Sequence, residues 1–163
     1  MSFSSDLSNF QKKAIKKMET VVRLTVLKLG RSVVLKSPVG NPELWAGSYY
    51  DLYTKSGKRR KRKKLISNAD AGYTGGRFRA NWQYGYNAIP EGEIDGVDKG
   101  GSKTISNIRS SVNAANFIGE HYIVNNLDYA ERLENGWSTQ APNGMVGLTI
   151  VEFRDIVEVT ARS

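Results

Sequence analysis

The chain has 163 residues, with 24 Lys and Arg against 16 Asp and Glu, one His and no Cys. That length suits one domain with a real core; the absence of cysteine excludes disulfides and thiolate metal sites and is compatible with synthesis in a reducing cytosol. The net charge of +8 is concentrated in Lys55, Lys58, Arg59, Arg60, Lys61, Arg62, Lys63 and Lys64; without them 16 basic residues face 16 acidic ones, which describes one basic segment on a neutral body rather than a basic surface throughout.

No run of 18 apolar residues is present, so no membrane span is expected. The opening MSFSSDLSNF lacks a basic start followed by an apolar stretch, so no secretory leader is expected either. Residues 4–36 read as one long helix: Phe3, Leu7, Phe10, Ala14, Met18, Val21, Thr25, Leu29 and Val33 recur at spacings of three and four, and Lys12, Lys13, Lys16, Lys17 and Arg23 fall mostly on the other side. Ser4 or Ser5 is placed to cap its start, and Asp6 suits the positive end of the helix dipole. Pro38 stops it, because proline disfavours helical geometry at Ser37. At 1.5 Å per residue the helix would span roughly 50 Å, longer than a domain of this size is wide, so part of it should project or pack on a neighbouring subunit. Gly30 is a candidate bend.

Residues 40–76 form an extended loop, punctuated by glycines and carrying the basic run. Residues 78–86 give the clearest strand: Phe78, Ala80, Trp82, Tyr84 and Tyr86 alternate with Arg79, Asn81, Gln83 and Gly85, and the aromatic face should lie against the long helix. Residues 102–114 suit a short helix with Ile105, Ile108 and Val112 on one side and Ser102 as its cap. A second strand is expected over 122–126. Residues from 145 or 146 to about 161 suit a final helix, with Met145, Leu148, Phe153, Ile156 and Val157 inward and Pro142 and Asn143 as the turn and cap before it. The expected fold is a single α+β domain, residues 1–163: a long N-terminal helix and a C-terminal helix packed on a small, mainly antiparallel sheet.

A catalytic constellation is not visible. The one histidine, His121, starts a strand, where a half-exposed structural role is expected; a nucleophile–His–acid triad would have to use it. Glu91, Glu93, Asp95 and Asp98 alternate in a glycine-rich turn but lack the spacing and closing Glu of a calcium loop. The GYTGG of residues 72–76 lacks the Lys-Ser/Thr that follows in a phosphate loop. No cofactor, no metal and no enzymatic activity are expected. The basic run is the feature with a ligand to offer: residues 55 and 58–64 are candidate contacts to DNA phosphates through counterion release, or to an acidic protein partner. They lack interleaved aromatics for base stacking.

Two separated segments carry a resemblance. The first is Ser37-Pro38-Val39 after the long helix, resuming as Gly75-Gly76-Arg77-Phe78-Arg79-Ala80-Asn81-Trp82; the second is Asn125-Asn126-Leu127-Asp128-Tyr129-Ala130, then Glu134, Gly136 and Ser138, then Ala141-Pro142 before the last helix. In order and spacing they resemble the tail-completion or neck (head–tail joining) protein family of tailed bacteriophages, over about residues 20–157. In that family a helix ending in Ser/Thr-Pro-Val is followed by a Gly-x-Leu/Phe-Arg-x-Ser/Asn-Trp strand, and an Asn-x-x-x-Tyr-Ala…Glu-x-Gly corner precedes the C-terminal helix. This chain departs from shorter members by about 35 residues inserted after Val39, which hold the basic run.

The resemblance implies a non-enzymatic structural virion protein. It would be a ring-forming neck or tail-completion component, tail-terminator-like, made in the host cytoplasm and placed at the head–tail junction. Its implied partners are itself in a closed homo-oligomer (six copies first, twelve second), the neighbouring neck, connector and tail-tube proteins, and genomic DNA in the channel; no membrane is implied. The alternative is a nucleic-acid-binding module acting through residues 55–64. Arg77, Arg79, Trp82, Tyr129, Glu134, Gly136 and Trp137 are the expected scaffold or subunit-contact residues. Arg77 and Arg79 should lie on the polar face of the first strand, with Glu134 pairing with one of them or accepting backbone hydrogen bonds. Tyr129 and Trp137 should supply large buried areas, and Gly136 a positive φ.

Overall fold

A computed structural model describes residues 3–40 and 74–162 of the chain. The fold is α+β, with a long N-terminal helix, a C-terminal helix and a two-stranded antiparallel sheet. Helix α1 spans Phe3–Lys36, and its burial divides it in two. From Thr25 onward it supplies Val26, Val33 and Val34 to the core, whereas Phe3, Leu7, Phe10, Ile15 and Met18 of its first half are exposed. The core is completed by Phe78, Trp82, Ile108, Val112, Leu127, Ala141 and Met145. Gly30 marks a close approach rather than a bend: a Cβ there would stand 3.1 Å from Cγ2 of Ile108, so the missing side chain lets the next helix pack against α1. Ser4 and Ser5 fall inside the first turn rather than ahead of it.

The expected strand 78–86 is corrected in its first half. Arg77–Ala80 is a single helical turn, α2, and strand β1 runs only over Trp82–Tyr86. Phe78 and Trp82 satisfy a spacing of four as well as a spacing of two, and their rings meet edge to face at 6.0 Å across the turn. Asn81 then favours the helical alternative, because its side-chain amide returns to the Arg77 carbonyl at 2.9 Å. Arg77 and Arg79 therefore lie on this turn and not on the polar face of a strand.

Helix α3, Ser102–Ala114, buries Ile108 and Val112 as expected and packs against α1 and β1. Strand β2, His121–Asn125, starts one residue earlier than expected and pairs with β1 in the register Trp82↔Asn125, Tyr84↔Ile123, Tyr86↔His121. After the short helix α4, Ala130–Glu134, the expected final helix is two: α5, Val146–Val151, and α6, Phe153–Arg162. The β-branched run Thr149-Ile150-Val151 weakens helical preference at the break. There the Glu152 carboxylate is drawn to Lys36 Nζ and Ser32 Oγ of α1. Met145 is buried and Ile156 and Val157 half-buried, but Leu148 and Phe153, expected inward, are exposed. No helix among the described residues is long and apolar enough to cross a membrane.

Candidate functional site

Arg79 and Trp82, two of the residues singled out in the sequence, meet Ser37 at the C-terminal end of α1. There the last turn leaves carbonyls without intrahelical partners, and these need donors. Ser37 closes the turn with its own hydroxyl, which donates to Val33 O at 2.7 Å, and that same hydroxyl oxygen accepts the Trp82 indole N–H at 2.7 Å. Arg79 supplies further donors. Its guanidinium reaches Leu35 O at 3.2 Å, Ser37 O at 2.6 Å and Lys99 O at 2.8 Å, so one fork ties the helix end to the loop before α3. Desolvation lowers the Arg79 pKa, with nearby Asp98 opposing the shift. A cation at a helix C-terminus also has the sign the dipole favours.

The same device recurs at three other helix ends. Arg23 of α1 donates to the Val112 and Asn113 carbonyls at the end of α3. Asp98 stands at the start of α3, where one carboxylate oxygen accepts Gly101 N and the other accepts both Thr104 N and Thr104 Oγ, at 2.8–2.9 Å. The N-cap position is held by Gly101, so the expected cap from Ser102 is not formed. Burial disfavours ionisation of Asp98, but the donors of Thr104, Gly101 and Lys103 outweigh it and lower the pKa.

Glu134 does the same for α5 from a distance in sequence. Its carboxylate accepts the N–H groups of Met145, Val146 and Gly147 at 2.8–2.9 Å, capping a helix whose preceding Asn143 gives no side-chain cap. Of the two roles expected for Glu134, the structure shows backbone acceptance; Arg77 pairs instead with Glu93. Burial pushes the Glu134 pKa up, and the three amide donors pull it down further, to a net value below an ordinary Glu.

Gly136 follows α4 with φ +80°, as expected. Gly136 N donates to Leu133 O and Trp137 N to Arg132 O, the two bonds of a Schellman stop. The corner thus turns sharply enough for Glu134 to face the start of α5. Trp137 and Tyr129 were expected to be buried, and this is corrected: Trp137 is 67% exposed and Tyr129 38%. Tyr129 lays its ring near Phe78, centroids 5.9 Å apart, while the tight turn puts Trp137 on the outside.

Sequence reasoning missed Asn81 and Asp98 as fasteners. Asn81 is fully buried; it accepts Ile94 N and donates to Ile94 O, pinning the loop between β1 and α3. Asp98 looked like one of four alternating turn acids, and its cap role depends on the loop folding back over three to six residues. His121 is half-buried, with Nδ1 2.7 Å from the Tyr84 hydroxyl. Among the described residues no group of His, Asp and Glu could hold a metal ion. Lys55, Lys58, Arg59, Arg60, Lys61, Arg62, Lys63 and Lys64 lie outside the described residues.

The surface carries a second feature. The exposed first half of α1 meets Phe117 and Ile118 in an open apolar groove whose α1 wall is Ala14, Lys17, Met18, Val21 and Val22. Among the described residues these elements build braced helix ends and an apolar contact surface. No protein-family model matches the chain, and no curated protein and no solved structure is significantly similar to it.

Proposed function

We propose that the protein is a structural component of a tailed-phage virion, a ring-forming neck or tail-completion protein at the junction of head and tail. The observation that carries this reading is the projecting half of α1. Phe3 is 83% exposed and Phe10 69%, on a helix whose other half is anchored in the core. A lone chain leaves this apolar surface in water, and an assembly covers it. The frame at the other end of α1 supports the same reading. Ser37, Arg79, Trp82, Glu134 and Gly136, which carry the resemblance to the neck family, hold helix ends in fixed relation, as a subunit of a rigid ring requires. On this reading the eight basic residues of 55–64 supply the charge for contact with DNA in the channel or with an acidic neighbouring protein.

Light scattering and electron microscopy of the purified full chain test this reading, followed by gold labelling of virions with an antibody to it. The expected result is a closed ring in solution and label at the neck. A monomer that binds DNA tightly at physiological salt, with binding lost when Lys58 to Lys64 are neutralised, favours the nucleic-acid module instead.

A further inference from the structure

The geometry points to a head-to-tail contact between copies of this chain: the apolar stripe on the projecting half of α1 docks on the acidic loop, residues 89–97, of the next copy. This rests on the ring reading and names its interface. Phe3, Leu7, Phe10, Ala14 and Met18 recur every three or four residues, so they form one narrow stripe along the helix. At 3.6 residues per turn, Lys13 and Lys17 border it on one side. Neither lysine has an ion-pair partner among the described residues.

The loop between β1 and α3 has the complementary character. Ile89 (59% exposed), Ile94 and Val97 present apolar side chains, interspersed with Glu91, Glu93 and Asp95. Glu93 is held by Arg77, whereas Glu91 and Asp95 form no ion pair among the described residues. The loop is not slack: Asn81 clamps Ile94, Gln83 and Asn126 hold Gly92, and Asp98 fastens its end.

Ile94 and Phe10 sit toward opposite ends of α1: Asn81 clamps Ile94, and the next residue, Trp82, is bonded to Ser37 just past the helix. The loop's far end is fixed at Arg79 and Leu35, while Phe10 lies 25 residues before Leu35 on the same continuous helix, about 38 Å away at 1.5 Å per residue. One chain cannot bring its own Phe10 to its own Ile94. Pairing stripe with stripe would set Lys13 and Lys17 against their like. Residues 41–73 carry eight basic residues against three acidic ones, the same sign as the stripe's border, and are no charge match for it. A second copy's loop supplies both the apolar side chains and the opposite charge. A contact between two different surfaces, repeated, produces a ring when the rotation closes.

The chain has no cysteine, so disulfide trapping reads the contact directly. Full-length Phe10→Cys and Ile94→Cys proteins are mixed under mild oxidation, and the linked peptides are identified by mass spectrometry. The expected product joins position 10 of one copy to position 94 of another. In parallel, Lys13→Glu with Lys17→Glu should weaken self-association about tenfold, as two partly exposed charge pairs can, and a copy bearing Glu91→Lys with Asp95→Lys should restore it. If light scattering finds a ring but only like positions link, none link, or charge reversal has no effect, this contact is wrong while the ring stands. If the unmodified chain stays monomeric up to its solubility limit, the ring reading falls and this contact with it.

Discussion

The Trp82 indole N–H donates to Ser37 Oγ across 2.7 Å, joining the first residue of β1 to the residue that ends α1. Both groups are buried, and the same hydroxyl still donates to Val33 O, so the serine stands between a strand and a helix terminus with both its roles used. Replacing Ser37 by Ala leaves a buried indole N–H with no acceptor, an expected loss of about 1–3 kcal/mol in urea denaturation. Trp82→Phe should cost about 2–3 kcal/mol, since it removes volume from the core as well as the donor. The double variant should cost less than the two losses added, because the unpaired group no longer exists; strict additivity would show the bond contributes nothing.

Arg79 has a different signature. Its fork serves three carbonyls on two segments, which a lysine ammonium on a flexible stem cannot reproduce. Arg79→Lys should retain less than half of the stability lost in Arg79→Met, and amide exchange should accelerate in the last turn of α1 in both. Equal stability of the Lys variant and the unmodified protein would mean that charge at the helix end, not geometry, is what matters.

Gly136 and Gly92 make a matched pair for separating strain from contact. Both have positive φ, +80° and +75°, but a Cβ at Gly92 would meet nothing within 4 Å, whereas at Gly136 it would run into the Pro142 carbonyl. Gly92→Ala should cost about 1–2 kcal/mol, the price of left-handed backbone alone. Gly136→Ala should cost distinctly more and move Glu134 away from α5. Thermal denaturation of the two variants at one protomer concentration decides it.

What was legible in the sequence followed from periodicity over long stretches. Helix α1, its stop before Pro38, helix α3 with Ile108 and Val112 inward, and the pairing of two short strands all rest on repeated spacing or on proline. The misreadings came where one residue satisfies two periods or where a turn decides exposure. Phe78 and Trp82 fit strand and helix equally, and a side-chain amide at Asn81 settled the matter. Trp137 is apolar in composition, yet the Schellman bonds that stop α4 turn it outward. Glu134 could be narrowed to two roles but not assigned, because its partners lie 11–13 residues ahead in a helix whose start depends on the corner itself. Asp98 was hidden for the same reason: a cap supplied from outside the helix leaves no fixed spacing to read.

Glu134 gives a prediction with a pH signature. Its folded pKa lies below the ordinary glutamate value because the Met145, Val146 and Gly147 amides favour the carboxylate over the opposing effect of burial. A lowered folded pKa means that the group's contribution is fully present above the unfolded value, about 4.3, and is lost as the pH falls through the folded value. Glu134→Gln keeps one acceptor oxygen but loses the charge at the start of α5, an expected cost of about 1 kcal/mol near neutral pH. The stability gap between the two proteins should stay constant from pH 7 to about pH 5, then narrow as the unmodified protein takes up its proton. Asp98 also has a lowered pKa and steepens the acid limb of both proteins equally, so the difference curve isolates Glu134. Urea midpoints measured across that range test it. A gap that is unchanged at low pH, or that widens, would mean the carboxylate's charge is not what holds the helix start.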